Sequence, residues 1–351
     1  MIFFGDISLP YKEALTLSGV PDSMLNTEWF ANLEGTLLDC PDRSRYSKNR
    51  VVYNDLGAIR HLVSKFPFKC FSIANNHILD IADVSITRNN LSDIGVIGIG
   101  AGRNISEASQ EYICSRDKIV IVAFGWERIK CILSDNSRQG VNPLYKENVL
   151  FQVKRLLKTY PDYRVIPFMH WNTELEKYPM PLNRELAHSL IDVGCYAVIG
   201  CHSHRPEPIE IYKGCPIVYG LGNFLFKQGF YMNSTLTFPM FSHDAIAVEI
   251  LDNKWLLHFF HYEADSNNVK YVSSEELFSS ECEGFNLNDD EYYLWFKKNR
   301  FQRKGTITYR LNEPYLAKVS KIIWDSCRTR IIDLLVKYPK LFNLAKSFFK
   351  K

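Results

Sequence analysis

A chain of 351 residues is long enough for one large α/β domain, or for one domain with an appendage. Apolar residues at 46% and aromatic residues at 14% can fill a sizeable core, while 42 basic against 39 acidic residues leave a net charge of only +3. That balance argues against a nucleic-acid binder, which would carry a concentrated basic face.

The nine cysteines are odd in number, scattered, and without a C-x-x-C pair. They fit free thiols in a reducing compartment better than a disulfide framework. Met1-Ile2-Phe3-Phe4 leads straight into Gly5-Asp6, with no basic or long apolar stretch of signal-peptide type before it. No run of about 18 apolar residues occurs, so no spanning helix is expected. The expectation is a soluble, cytoplasmic protein.

In chain order, short apolar runs repeatedly end at polar residues. Asp6 follows the first run, and Glu34 follows Trp29-Phe30-Ala31-Asn32-Leu33. Residues 68–73 predict a buried strand ending at Ala74-Asn75-Asn76-His77. A helix over 83–93 follows, with Gly95 suited to its C′ position. Strands are predicted over 96–99 and 119–124. Val149, Leu150, Val153, Leu156 and Leu157 follow helical spacing, closed by Pro161.

The strand 164–169 then leads to His170. Leu182, Leu186, Ala187, Leu190 and Ile191 make a second helical stripe, with Asn183 a candidate cap and Gly194 the stop. A buried strand over 196–200 carries Cys201-His202-Ser203-His204 at its end, and further strands are predicted over 217–219 and 245–251. This rhythm argues for a layered α/β domain with a mixed sheet over 1–265.

From 266 the texture changes. Residues 275–290 are acidic and loop-like, and the last 40 residues are helical and basic. Residues 266–351 are read as a largely helical extension packed on the domain. Leu334, Leu335, Leu341, Phe342, Phe348 and Phe349, interleaved with lysines, leave open peripheral contact with a membrane surface.

In an open α/β sheet, residues just past the carboxyl ends of strands gather in one crevice. The candidates placed there are Asp6, Glu34, Asn76, His170, His202 and His204. Carboxylate, amide and imidazole donors suit divalent Mn, Fe or Zn. A two-metal hydrolytic centre also needs an acid for the leaving group. His77, beside Asn76, suits that role, and Asp80 lies one helical turn on, able to orient the imidazole.

These residues resemble the CapA-type branch of the calcineurin-like metallophosphoesterases, the poly-γ-glutamate capsule synthesis proteins. The matching segments are Gly5-Asp6, Asn32-Leu33-Glu34-Gly35, Ala74 to Asp80, Gly100 to Asn104, His170-Trp171, Val198 to His204, and Tyr219 to Phe224. The resemblance implies a four-layer α/β/β/α sandwich with a dinuclear centre at one edge. It implies Asp6 and His204 on one metal, Asn76, His170 and His202 on the other, and Glu34 between them. The implied reaction is in-line attack on a phosphate ester by a hydroxide held on the metals, with His77 as general acid.

The chain departs from the pattern at several points. Asn75 replaces a glycine, and Ser8 stands where the wider superfamily has a histidine. Ser203 and Glu207 replace proline and glutamine, while Ala82 and Asn172 replace glycines.

Other readings stay open beside this one. Gly98 to Gly102 is glycine-rich, but Arg103 breaks a nucleotide-binding fingerprint, so it reads as a turn. Arg205, Trp171 and Asn223 are candidate substrate contacts, against a surface ion pair, a cover over the metals and a turn asparagine respectively. Cys201 reads as a buried thiol rather than a nucleophile. The expected function is a metal-dependent hydrolase of phosphoesterase type in capsule or surface-polymer biosynthesis, with two divalent ions as cofactors. A non-catalytic component of a capsule-synthesis complex, or an amide or γ-glutamyl hydrolase using the same metals, are the alternatives. The partners expected are a phosphate-ester or polymer-precursor substrate and capsule-synthesis proteins, with no nucleic-acid polymer.

Overall fold

The run Ile2–Ser8 is buried at every position because it lies inside a nine-stranded mixed sheet. The computed structural model describes residues 1–301 apart from 252, 253 and 281, together with 307–311, 320, 321, 323, 324 and 327. Ile2–Ser8 pairs in parallel with Trp29–Leu33 and Asn223–Phe226. Trp29–Leu33 in turn pairs with Phe68–Ser72, and that strand with Ile97–Ile99. On the other side the sheet continues antiparallel through Asp244–Ile250, Trp255–Glu263 and Asn268–Glu276.

A second, six-stranded sheet runs in the order Ile209–Tyr212, Cys215–Val218, Val198–Cys201, Arg164–His170, Ile119–Gly125 and Tyr112–Cys114. The two sheets meet face to face. Alternation along each buried strand sends one set of side chains inward between the sheets and the other outward. Phe30 meets Phe168 edge to face across this interface, with ring centroids 5.0 Å apart. Trp29, one residue earlier, points the opposite way and stacks on Phe66, just past the helix Leu56–Lys65.

The second sheet alternates likewise. Ile121, Ala123 and Ile166 join the core between the sheets, whereas Val120, Val122 and Val165 face the helices Lys146–Thr159 and Pro181–Asp192. The result is the expected four layers, α/β/β/α. Val149, Val153 and Leu156 are fully buried at the helical spacing read from the sequence.

Several expectations need correction. Asn183 is not a cap, since the helix starts with Pro181 after Met180, and Asn183 is buried in its first turn, donating to Asn172 Oδ1. Proline suits the first helical position because its missing N–H would have no partner there. The boundary at 265 falls inside one hairpin, because Asn268–Glu276 pairs with Trp255–Glu263. Part of the segment assigned to the extension is therefore sheet. Part of the acidic stretch is helical: Asp289–Asn299 starts at a capping box between Asn288 and Glu291. Most of the C-terminal basic stretch, 328–351, lies outside the described residues.

Two glycines set the geometry around the site. A Cβ on Gly5 would sit 1.9 Å from the Gly222 carbonyl oxygen, the same oxygen that accepts from Asp6 N. Gly35, with φ +92°, turns the chain straight after Glu34, where a Cβ would meet the Val52 carbonyl oxygen at 2.3 Å.

Candidate metal centre

Strand register places the polar residues in two rows. In the large sheet Ser72, Asn32, Asp6 and Asn223 are partners across four parallel strands. In the smaller sheet Gly125, His170 and Cys201 are partners across three. Ser72, Asn32, Asp6, Gly125, His170 and Cys201 lie at or near the carboxyl ends of their strands, and Asn223 opens its own, so stacking the sheets brings both rows to one edge.

Asn32 Nδ2 donates to Asp6 Oδ1 at 2.8 Å and reaches Glu34 Oε2 at 3.4 Å, fixing both carboxylates. His202 N donates to Asp6 Oδ2 at 3.3 Å from the opposite sheet. His202 and His204 both take left-handed backbone conformations, with φ +91° and +54°. Such positions cost about 1–3 kcal/mol each in non-glycine residues and persist where the surroundings enforce them. His204 Nδ1 is held by Asn223 Oδ1 at 2.9 Å, leaving Nε2 directed at Glu34 Oε1, 3.8 Å away. His170 Nε2 faces Asn76 Oδ1 at 2.9 Å.

All six expected ligands therefore meet. Potential donor atoms of Glu34, His202 and His204 lie within 4.8 Å of one another, and so do those of Asp6, His170 and Cys201. Glu34 Oε1 and His202 Nδ1 are buried without a hydrogen-bond partner. Buried polar atoms are normally satisfied, so two orphans in one cluster of oxygen and nitrogen donors fit divalent cations.

The electrostatics agree. Burial pushes the Asp6 and Glu34 carboxyls above their usual range, outweighing His204 and Asn32 for Asp6 and reinforced by Asp6 for Glu34. Burial and then the neighbouring imidazoles hold His170 and His202 well below theirs, keeping them neutral donors. Divalent cations would hold the two carboxyls ionised.

His77 stands at the rim, on the turn after Phe68–Ser72. Its Nδ1 lies 2.7 Å from Asp80 Oδ2, and its Nε2 lies 4.0 Å from Glu34 Oε1. Asn75 Oδ1 accepts from both Gly35 N and His77 N, while its Nδ2 donates to the Leu33 carbonyl. The asparagine that replaces a glycine thus ties the turn around Glu34 to the turn that carries His77. Glu34, Asn76, His77, Asp80, His202 and His204 all face a cavity of about 710 Å³, which Arg50, Arg128 and Lys130 also line.

The three expected substrate contacts do not line this cavity. Trp171 is fully buried and donates to the Tyr219 carbonyl at 2.9 Å, so it is a strut beneath the site. Arg205 lies 4.3 Å over the Phe241 ring. Asn223 holds His204 in place. Two departures from the family pattern turn out to be partners, since Asn172 Nδ2 donates to Glu207 Oε2 at 2.7 Å. Ser8 is engaged with the Tyr231 hydroxyl. Asn32, two positions before Glu34, is the site residue to which sequence reasoning gave no role, whereas Cys201 is the buried thiol expected.

An α/β sandwich with acidic, amide and imidazole donors converging at one edge of its two sheets defines a candidate metal centre. The chain belongs to the bacterial capsule synthesis protein PGA_cap family, whose model matches residues 26–228. It is 29% identical over 167 residues to the PGA biosynthesis protein CapA of Bacillus subtilis, covering 46% of this chain and 43% of that protein. It is 32% identical over 180 residues to a probable polyglutamine synthesis accessory protein of Mycobacterium tuberculosis, covering 45% and 44%. Each match thus spans less than half of the relative's length. A 5′-nucleotidase precursor from Thermus thermophilus superposes over 70% of this chain and 49% of its own, at 12% identity and a TM-score of 0.34. A likeness that loose has no bearing on the reaction.

Proposed function

We propose that this protein is a metal-dependent hydrolase of phosphoesterase type, acting in the biosynthesis of a capsule or other surface polymer. The carrying observation is the His77–Asp80 pair set at the rim of a cavity whose floor is a convergent set of buried donors. Asp6, Glu34, Asn76, His170, His202 and His204 would hold two divalent ions, with Glu34 placed to serve both. Bound there, the ions would supply Lewis-acid polarisation of a phosphoryl oxygen and an activated water. Asp80 fixes the His77 ring through Nδ1, leaving Nε2 to hand a proton to the leaving oxygen. Asn32 and Asn223 keep Asp6 and His204 in place. All nine cysteines are unpaired, which supports a reducing compartment such as the cytoplasm. Among the described residues no helix is long and apolar enough to cross a membrane.

A second reading is an accessory role in which the metals are structural. It is favoured by the mycobacterial relative, which carries the word accessory in its name. One experiment separates the two: elemental analysis with a metal-supplemented screen of generic phosphate esters, run on wild type, His77→Ala and His202→Ala. Two metals per chain with turnover lost in both variants supports the hydrolase. A fully metallated protein without turnover on any ester overturns it in favour of the accessory role.

A further inference from the structure

Cys201 ends the strand Val198–Cys201 and is the register partner of His170 on the neighbouring parallel strand. Register partners on adjacent strands project to the same face. The thiol therefore emerges beside the imidazole, with Sγ 3.1 Å from His170 Nδ1. On its other side an Asp6 carboxylate oxygen lies within 4.8 Å of the sulfur, and the S–H donates to the Met169 carbonyl at 3.6 Å. Cys201 is wholly buried. It lies beside one expected donor from each sheet, near the cluster in which Glu34 Oε1 and His202 Nδ1 are orphaned.

We infer that Cys201 is a positioning residue of the metal centre, holding the His170 ring through Nδ1 while its own S–H is anchored on the Met169 carbonyl, without itself binding a metal. The inference rests on the metal-centre reading above. An imidazole offers an ion only one nitrogen while the other is oriented by a partner. His170 Nε2 faces Asn76 Oδ1 at 2.9 Å, so Nε2 and the amide oxygen converge on one cation position. Nδ1 then carries the proton and donates it to sulfur, the part a carboxylate or backbone carbonyl often takes at metal-bound histidines. The S–H remains for the Met169 carbonyl. A single thiol thereby ties the ring orientation of His170 to the backbone of the strand that carries it.

The test is cobalt(II) titration of the full chain followed by absorption spectroscopy, on wild type, Cys201→Ser and Cys201→Ala. Cobalt reports ligand type directly, because a bound thiolate adds an intense sulfur-to-cobalt charge-transfer band in the near ultraviolet. Wild type should bind cobalt with visible ligand-field bands and no such charge-transfer band. Cys201→Ala should weaken one of the two binding events by about 10–100-fold. Cys201→Ser, which keeps a donor and an acceptor at the same place, should recover most of that loss. A charge-transfer band that disappears in Cys201→Ser would make the thiol a ligand and overturn the inference. So would a Cys201→Ala protein that binds both ions as tightly as wild type. Wild type that takes up no cobalt would overturn the metal-centre reading along with it, whereas the first two outcomes leave that reading intact.

Discussion

His77 Nδ1 and Asp80 Oδ2 lie 2.7 Å apart, and the same carboxylate oxygen accepts from Val52 N at 2.9 Å. One acid therefore sets the ring angle of His77 and pins the neighbouring loop. Replacing His77 by alanine is expected to lower turnover about 10²–10⁴-fold, the usual contribution of a positioned proton donor. Metal content should not change, because Asn76 rather than its neighbour supplies the donor atom. Asp80→Asn keeps one acceptor and should lose less, about 10–100-fold. Steady-state kinetics paired with elemental analysis checks both. Loss of metal in His77→Ala would contradict the assignment.

Much of this site was legible in the sequence, for a physical reason. Parallel strands buried on both faces read as apolar runs, and the first polar residue past each run has little choice but to face the crevice. That logic located Asp6, Glu34, Asn76, His170, His202 and His204. It gave no direction for Trp171, Arg205 and Asn223, which adjoin the motif but do not line the cavity, because nearness in sequence does not set orientation at a strand end. It also passed over Asn32, since a polar residue inside an apolar run acquires meaning only when register sets it beside Asp6. The hairpin crossing position 265 was hidden because the strand Asn268–Glu276 is largely exposed and charged, lacking the apolar signature of its neighbours.

Glu34 stands between the donor His204 and the rim histidine, with Oε1 3.8 Å from His204 Nε2 and 4.0 Å from His77 Nε2, and Asn32 joins it to Asp6 of the other donor group. Glu34→Ala should reduce bound metal from two ions toward none, whereas Asn76→Ala should remove one. Metal-to-protein ratios after gel filtration measure the difference. Equal losses in the two variants would remove Glu34 from its central place.

Away from the site, Arg184 and Glu210 form a buried ion pair, 3% and 2% exposed, at 2.9 Å. Burial alone would raise the Glu210 carboxyl, but His188 and Arg184 outweigh it and hold the group below its ordinary value. A carboxyl depressed in the folded state adds stability that is complete above its unfolded pKa, about 4.3, and is lost as pH falls through the folded value. Glu210→Gln should cost about 1.5–3 kcal/mol near neutral pH by removing the charged partner of Arg184, whose guanidinium keeps Asp289 and the Phe285 and Leu287 carbonyls. Urea unfolding of both proteins between about pH 3 and 7 tests this, and the gap should narrow toward the acid end. A gap that stays constant across the range would sink the linkage.

Gly5→Ala would drive a methyl group into the Gly222 carbonyl, with the two strands unable to separate without losing the Asp6 N–H bond to that oxygen. The expected penalty is about 3 kcal/mol or more, at the upper end of overpacking effects. Metal affinity should fall with it, since Asp6 moves with the strand. Thermal unfolding and cobalt titration report the two effects separately. A variant as stable as wild type would show that the strands can part there.

His202 donates its backbone N–H to Asp6 across 196 residues of chain. No fragment ending before the smaller sheet can contain a complete donor set, and neither sheet holds one alone. Contacts this distant in sequence form late, after the loop-closure entropy of both sheets has been met. Metal capture would therefore require both sheets to have docked rather than any local nucleus. Ions held there would act across the sheet interface as a latch, closing only on a chain that has already found its native topology and slowing its return.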